Sequence, residues 1–168
     1  MSHKVDSILV TDTHLDADSV PETMSVLKQS VDLAVSTGCF KIRHLGDFFN
    51  NRLGLTLDVL LALANWIEYA EKKKVNIEGI PGNHDKTDLE SENSYLNVYG
   101  KYVNFKVYKK ETTVESGDTL HHYLPYFKEN GSYLCRLAKI AKTAKKNKNG
   151  KNYLYTHIAV DGVKNNDG

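Results

Sequence analysis

Gly79-Ile80-Pro81-Gly82-Asn83-His84-Asp85 is the stretch on which the fold turns. An apolar run over residues 75–80 ends at a Pro-Gly turn, and the turn at once presents an amide, an imidazole and a carboxylate. Burying three such groups side by side is costly, so they are expected to face a shared cleft. Two earlier apolar runs end in the same manner. Ile8-Leu9-Val10 leads into Thr11-Asp12-Thr13-His14, and Ile42-Arg43-His44-Leu45 leads into Gly46-Asp47-Phe48-Phe49-Asn50.

Residues 5–10, 40–45 and 75–80 read as three buried strands, and the segments between them have helical spacing. If the first strand keeps its conformation to the end, Asp12 and His14 leave it on one face. Ser19-Val20-Pro21-Glu22 is a helix start of the Ser-x-x-Glu kind with proline in the first turn. Met24, Leu27, Val31 and Ala34 follow, and Gly38 stops the helix. Thr56 caps a second helix with the stripe Leu57, Leu60, Leu61, Ala64, Ile67 and Ala70, flanked by Trp66 and Tyr69. The lysines at 72, 73 and 74 suit the negative end of its dipole. An order of β-α-β-α-β implies a parallel sheet with right-handed crossovers. Polar residues at the carboxyl ends of such strands gather at one rim, where ligands bind. All three polar turns fall there.

Past Asp85 the segments shorten. Residues 88–99 are expected as a short helix, and 103–107, 111–116 and 120–126 as strands added antiparallel to a second sheet. His121 and His122 are adjacent, so a strand points one inward and one to solvent. Residues 132–146 form an amphipathic helix with Leu134, Leu137, Ile140 and Ala144 inward. Six lysines and no acid lie between 139 and 151. That run is first a solvated face and second a phosphate-binding patch. Tyr153-Leu154-Tyr155-Thr156-His157 is a further strand, with His157 at its carboxyl end.

The 168 residues suit a single domain, 1–168, with a sizeable core, and the apolar content of 40% and charged content of 26% are those of a soluble globular protein. A net charge of +1 neither favours nor excludes a polyanionic partner. No apolar stretch is long enough to cross a bilayer, and Met1-Ser2-His3-Lys4 lacks a signal-peptide profile. Cys39 and Cys135 are too isolated for a disulfide framework, so a reducing, cytoplasmic setting is expected.

Carboxylate, imidazole and amide oxygen donors, with no cysteine competing, suit manganese, iron or zinc. Two such cations ~3.5–4 Å apart can clamp the attacking and leaving oxygens of a phosphate ester. A shared aspartate holds that separation, and Asp47, beside its glycine, is the expected bridge. A histidine next to a ligand but free of the metal, as His84 is next to Asn83, can protonate a leaving alkoxide.

Asp12-Thr13-His14, Gly46-Asp47, Gly82-Asn83-His84-Asp85 and a strand-end His157, in that order, resemble the calcineurin-like binuclear metallophosphoesterases. The resemblance implies an α/β fold, a two-sheet β-sandwich flanked by helices, and two divalent metal ions. It implies Asp12, His14 and Asp47 on one metal, and Asp47, Asn83 and His157 on the other. His84 would sit above the phosphate with Asp85 orienting it. Asn50 would support the Asp47 loop, and Arg52 is a candidate for contact with substrate phosphate. Within the superfamily, Leu124-Pro125-Tyr126-Phe127 and Thr156-His157-Ile158-Ala159 look most like SbcD-type exonuclease subunits and their phage relatives. That implies manganese-dependent cleavage of DNA beside a coiled-coil ABC-type ATPase, in a recombination or repair setting. The alternatives are a phosphomonoesterase or cyclic-nucleotide phosphodiesterase of the same superfamily, or a metal-poor scaffold. A homodimer is left open.

One departure stands out. The superfamily's closing Gly-His-x-His is absent before Gly168, leaving each metal one ligand short. The expectation is an incomplete copy of a longer enzyme, lacking the last strands; a naturally shortened protein is the other explanation.

Overall fold

A computed structural model describes residues 5–128 and 131–158, and the departure noted at the C-terminus falls outside them. Four parallel strands, β1 (Ile8–Val10), β2 (Lys41–His44), β3 (Asn76–Gly79) and β4 (Phe105–Val107), form one sheet in that order. A second sheet is built from β5 (Thr112–Ser116), β6 (Thr119–Leu124) and β7 (Lys151–Thr156). β5 pairs antiparallel with β6, and β6 parallel with β7. Helices α1 (Val20–Ser36) and α2 (Leu57–Lys72) cover the outer face of the first sheet, and α3 (Ser132–Ala144) covers that of the second. The layers are therefore helices, sheet, sheet, helix. This is the expected two-sheet α/β sandwich.

The apolar core lies between the first sheet and its two helices, where Leu27, Val31, Ile42, Trp66, Ile67 and Ile77 are all sealed from solvent. Burial of each such side chain contributes roughly 1.5–3 kcal/mol. The phase of α2 differs from the sequence expectation. Leu57 and Leu61 face solvent, while Val59, Ala62, Leu63 and Trp66 join Ile67 and Ala70 inside. Trp66 decides the rotation, because a buried indole needs a partner and its Nε1–H donates to the Leu27 carbonyl at 2.8 Å. Thr56 caps α2 as expected, accepting from the Val59 N–H. Ser19 makes no such bond. Asp16 instead caps a single 3-10 turn, Ala17–Ser19, that leads into α1.

Three further expectations are corrected. Residues 88–94 are not helical, and only a 3-10 turn at Tyr95–Tyr99 forms. Asp88 and Ser91 accept backbone N–H groups two residues on, which competes with helix formation. β4 extends the first sheet in parallel rather than the second, anchored by Asn104, whose side-chain amide donates to Ile67 and Val75 carbonyls. In α3 the buried residues are Tyr133 and Ile140, and Leu134 is exposed.

Between the sheets, a small cluster of Ile80, Tyr108, Tyr123 and Tyr155 sits beside a charged network. Arg43, on β2, is buried between Glu78 of β3, its register partner, and the hydroxyl of Tyr123 from the opposite sheet. Its guanidinium also meets Asp6 and Ser7 and lies over the Tyr155 ring. His121 and His122 are both buried, so neither takes the solvent-facing role expected of one of them. The central strand of the second sheet, β6, is covered on both faces. His121 bonds the Tyr155 hydroxyl at 3.0 Å, and His122 bonds Thr113 and Asn152.

Candidate metal centre

The carboxyl ends of β1, β2 and β3 are laced together by backbone. Asp12 N–H donates to the Gly46 carbonyl, His14 N–H to Asp47, and Leu15 N–H to Phe48, at 3.1, 3.1 and 2.8 Å. Asp12, His14 and Asp47 all sit at positive φ, at 52°, 43° and 53°. A non-glycine residue there costs of order 1–3 kcal/mol and persists only where its surroundings enforce it. This corrects the expectation for Asp12 and His14. They reach a common centre through left-handed turns, not by the alternation of a continuing strand.

Two close approaches require glycine. A Cβ on Gly82 would lie 2.1 Å from Asp47 Oδ1, and one on Gly46 would lie 2.6 Å from His157 Nδ1. Gly46 also takes φ 105°, a conformation closed to other side chains. The two turns therefore pack directly on the groups they present.

Asp47 is buried at the middle. Its Oδ1 accepts the His84 N–H at 2.9 Å, and its Oδ2 is 3.3 Å from His157 Nε2 and 3.8 Å from His14 Nε2. Two donor groups meet on it: Asp12, Asp47 and His157 in one, His14, Asp47 and His84 in the other, each with ligand atoms within 4.8 Å of one another. Asn83 Oδ1 lies 3.2 Å from His157 Nε2. All five residues expected as ligands thus converge. Their grouping differs from the expectation in that Asp12 falls with His157 and His84 joins His14, although Asp12 Oδ1 is also 3.8 Å from His14 Nε2.

The protonation pattern fits cations at this place. His157 Nδ1 faces the Leu45 carbonyl at 2.9 Å and must be the donor there. Nε2 then faces two oxygens at 3.2 and 3.3 Å, an arrangement satisfied either by a proton on the ring or by a cation between the three atoms. Burial pushes the His157 pKa down, but the Asp47 carboxylate outweighs it and holds it above the ordinary value. Burial likewise raises Asp47, yet the bonds from His157 and the His84 N–H leave it below the usual carboxylate range. His14 Nδ1 is buried with no protein partner. Hard oxygens with imidazole nitrogens are the donor set of manganese, iron or zinc.

The neighbouring residues divide by what they touch. His84 Nδ1 is held by the Asn50 carbonyl at 2.5 Å, and its ring meets His14 edge-on at 5.0 Å. Asp85 does not orient that ring, contrary to expectation. It is fully buried and accepts three backbone N–H groups, from Phe48 and Phe49 on Oδ1 and Gly82 on Oδ2, pinning the second turn to the third. Burial pushes its pKa up to about 7. Asn50 bridges to Asp16 at 3.0 Å, in keeping with support of the Asp47 loop. Arg52 turns its Nε toward the Lys86 carbonyl at 3.5 Å, and its own carbonyl accepts the Tyr95 hydroxyl. His44 is a packing residue, stacked on Phe48, with burial pushing it down to about 3 and hence neutral. Tyr126, quoted above only within the Leu124-Pro125-Tyr126-Phe127 signature, stands beside His157, a placement that no spacing pattern announced.

A rim of carboxylates and imidazoles over a helix-backed sandwich is built to hold divalent cations. The model of the calcineurin-like phosphoesterase family matches residues 7–166, and the chain belongs to that family. Exonuclease subunit 1 of Enterobacteria phage T4 is 25% identical over 108 residues, 63% of this chain and 32% of that protein. The crystal structure of Pseudomonas putida nuclease MPE is similar at 20% identity and a TM-score of 0.46, covering 76% of this chain and 57% of that one. The chain therefore spans about a third of the phage protein and just over half of the bacterial nuclease. Among the described residues, no helix is long and apolar enough to cross a membrane.

Proposed function

We propose that this chain hydrolyses phosphodiester bonds of DNA with two divalent cations, manganese above all. The observation that carries the reading is the buried Asp47 carboxylate, which belongs to both donor groups at once. Asp12, His14, Asn83 and His157 would complete the ligand set around it. The bound cations would supply Lewis-acid charge to the phosphate and its entering and leaving oxygens. The chain's own residues do the rest. Leu45 fixes the His157 tautomer, Asp85 locks the Phe48–Phe49 amides to the Gly82 turn, and Asn50 holds His84 by its Nδ1. With Nδ1 committed, His84 can carry its transferable proton only on Nε2, from which it would protonate the leaving alkoxide. The phage relative, an exonuclease subunit by name, supports a nucleic acid as the substrate.

The test is elemental analysis together with a nuclease assay. Manganese should load at two ions per chain and raise the melting temperature, and linear DNA should then be degraded; Asp47→Asn should lose both effects. Protein loaded with two ions that leaves DNA intact but hydrolyses small phosphate monoesters would replace this reading with a phosphomonoesterase.

A further inference from the structure

Next to the candidate centre lies a cleft of about 570 Å³. Its lining joins Asp12, Asn83 and His157 to three half-buried groups with apolar surface, Leu45, Tyr126 and Ile158. Cations and a phosphate account for the first three. They leave the others unexplained.

Tyr126 is the largest of those groups, and its backbone is held at both ends. Its N–H donates to the Pro81 carbonyl at 2.9 Å, and its own carbonyl accepts from Lys86 Nζ at 2.7 Å. Lys86 is fully buried, also bonds the Ser91 carbonyl, and lies 4.1 Å from the centre of the Phe127 ring. The Arg136 guanidinium from α3 lies 3.8 Å from the same ring centre. The backbone under Tyr126 is thus fixed on both sides, and its ring stands edge-to-face with His157 at 6.4 Å. A flat ring held rigid loses little freedom when something stacks on it. We infer that Tyr126 is the platform of a nucleobase subsite, on which the base of the nucleotide bearing the target phosphate stacks.

This inference rests on the proposed nuclease reading but makes a separate claim. Stacking of a base on an aromatic side chain gives a binding advantage of roughly 5- to 150-fold. In the presence of manganese, wild-type protein should bind dAMP more tightly than 2-deoxyribose 5-phosphate by a ratio in that range, measured by titration calorimetry. Tyr126→Phe should keep the ratio, and Tyr126→Ala should bring it to one. Because both ligands carry the same phosphate and sugar, general damage to the centre cancels in the ratio. Tyr126→Leu, which keeps apolar bulk for folding but offers no π-face, should also lose it. A wild type that binds both ligands equally, or a preference that survives Tyr126→Ala and Tyr126→Leu, overturns the proposal. DNA cut by wild type with no base preference sinks the subsite and spares the nuclease reading. A Tyr126-dependent dAMP preference in protein that leaves DNA uncut does the reverse.

Discussion

Replacing Gly82 by alanine isolates the packing that brings the third turn onto Asp47. The added methyl would lie 2.1 Å from Asp47 Oδ1 and 2.4 Å from its backbone nitrogen, about 1.3 Å short of the 3.4 Å at which ordinary contact begins. Neither neighbour can yield cheaply. The Asp47 backbone is held at positive φ by the His14 N–H, and its Oδ1 is engaged by the His84 N–H. Overpacking of this kind costs about 1–3 kcal/mol, which the core should survive. Function should not survive it, since misplacing a reacting geometry by about 1 Å can cost on the order of 10²-fold in rate. Gly54→Ala is the control, because a Cβ there meets nothing within 4 Å. The assays are hydrolysis of bis-p-nitrophenyl phosphate with manganese, bound metal by elemental analysis, and thermal melting. The expected result is a folded Gly82→Ala protein with depleted metal and activity down about a hundredfold. Wild-type metal content and rate in that variant would refute the close packing of the two turns.

Other perturbations separate the remaining roles. His84→Gln should keep both metals while kcat falls by about 10²- to 10⁴-fold; loss of one ion instead would place His84 among the ligands. Arg43→Met removes the cation facing Glu78 between the sheets, leaving that carboxylate only the neutral Tyr123 and Tyr108 hydroxyls, and should cost about 3–5 kcal/mol in urea unfolding, with Arg43→Met/Glu78→Gln recovering part of it. A cost under about 1 kcal/mol would show that the pair is not sealed. Burial raises Glu111, but Lys139 and Arg136 outweigh it and hold its carboxyl at about 2, below the ordinary 4.5. A depressed carboxyl pKa stabilises the fold above the unfolded value. The advantage of wild type over Glu111→Gln should therefore be full above pH 4.5 and fade as pH falls toward 2, followed by melting curves. An advantage independent of pH would rule out the ion pair as its source.

The parallel sheet and the converging turns were legible because each rested on a local, repeated signal, an apolar run ending in ligand-type residues. Thr56 was legible for the same reason. Helix phase was harder. In α2 apolar residues lie on both sides of the inward face, and the choice fell to one indole that needed the Leu27 carbonyl. The same ambiguity turned Leu134 outward in α3. Pairing of β4 with β3 depends on Asn104 reaching two distant carbonyls, a contact no local pattern encodes. The buried Arg43–Glu78 pair was invisible for a related reason, since each looks like a surface charge until register sets them side by side. Asp85 was expected to orient the His84 ring. Sequence put it beside His84, while folding turned it toward three amides.

Because β1 to β3 all run one way, the sheet has a working end and an idle one. The loops entering β2 and β3, at residues 37–40 and 73–75, lie at the idle end, and a Cβ on Gly38 would touch nothing within 4 Å. Spectroscopic labels, epitope tags or short insertions belong there, where the chain can be lengthened without disturbing a single candidate ligand.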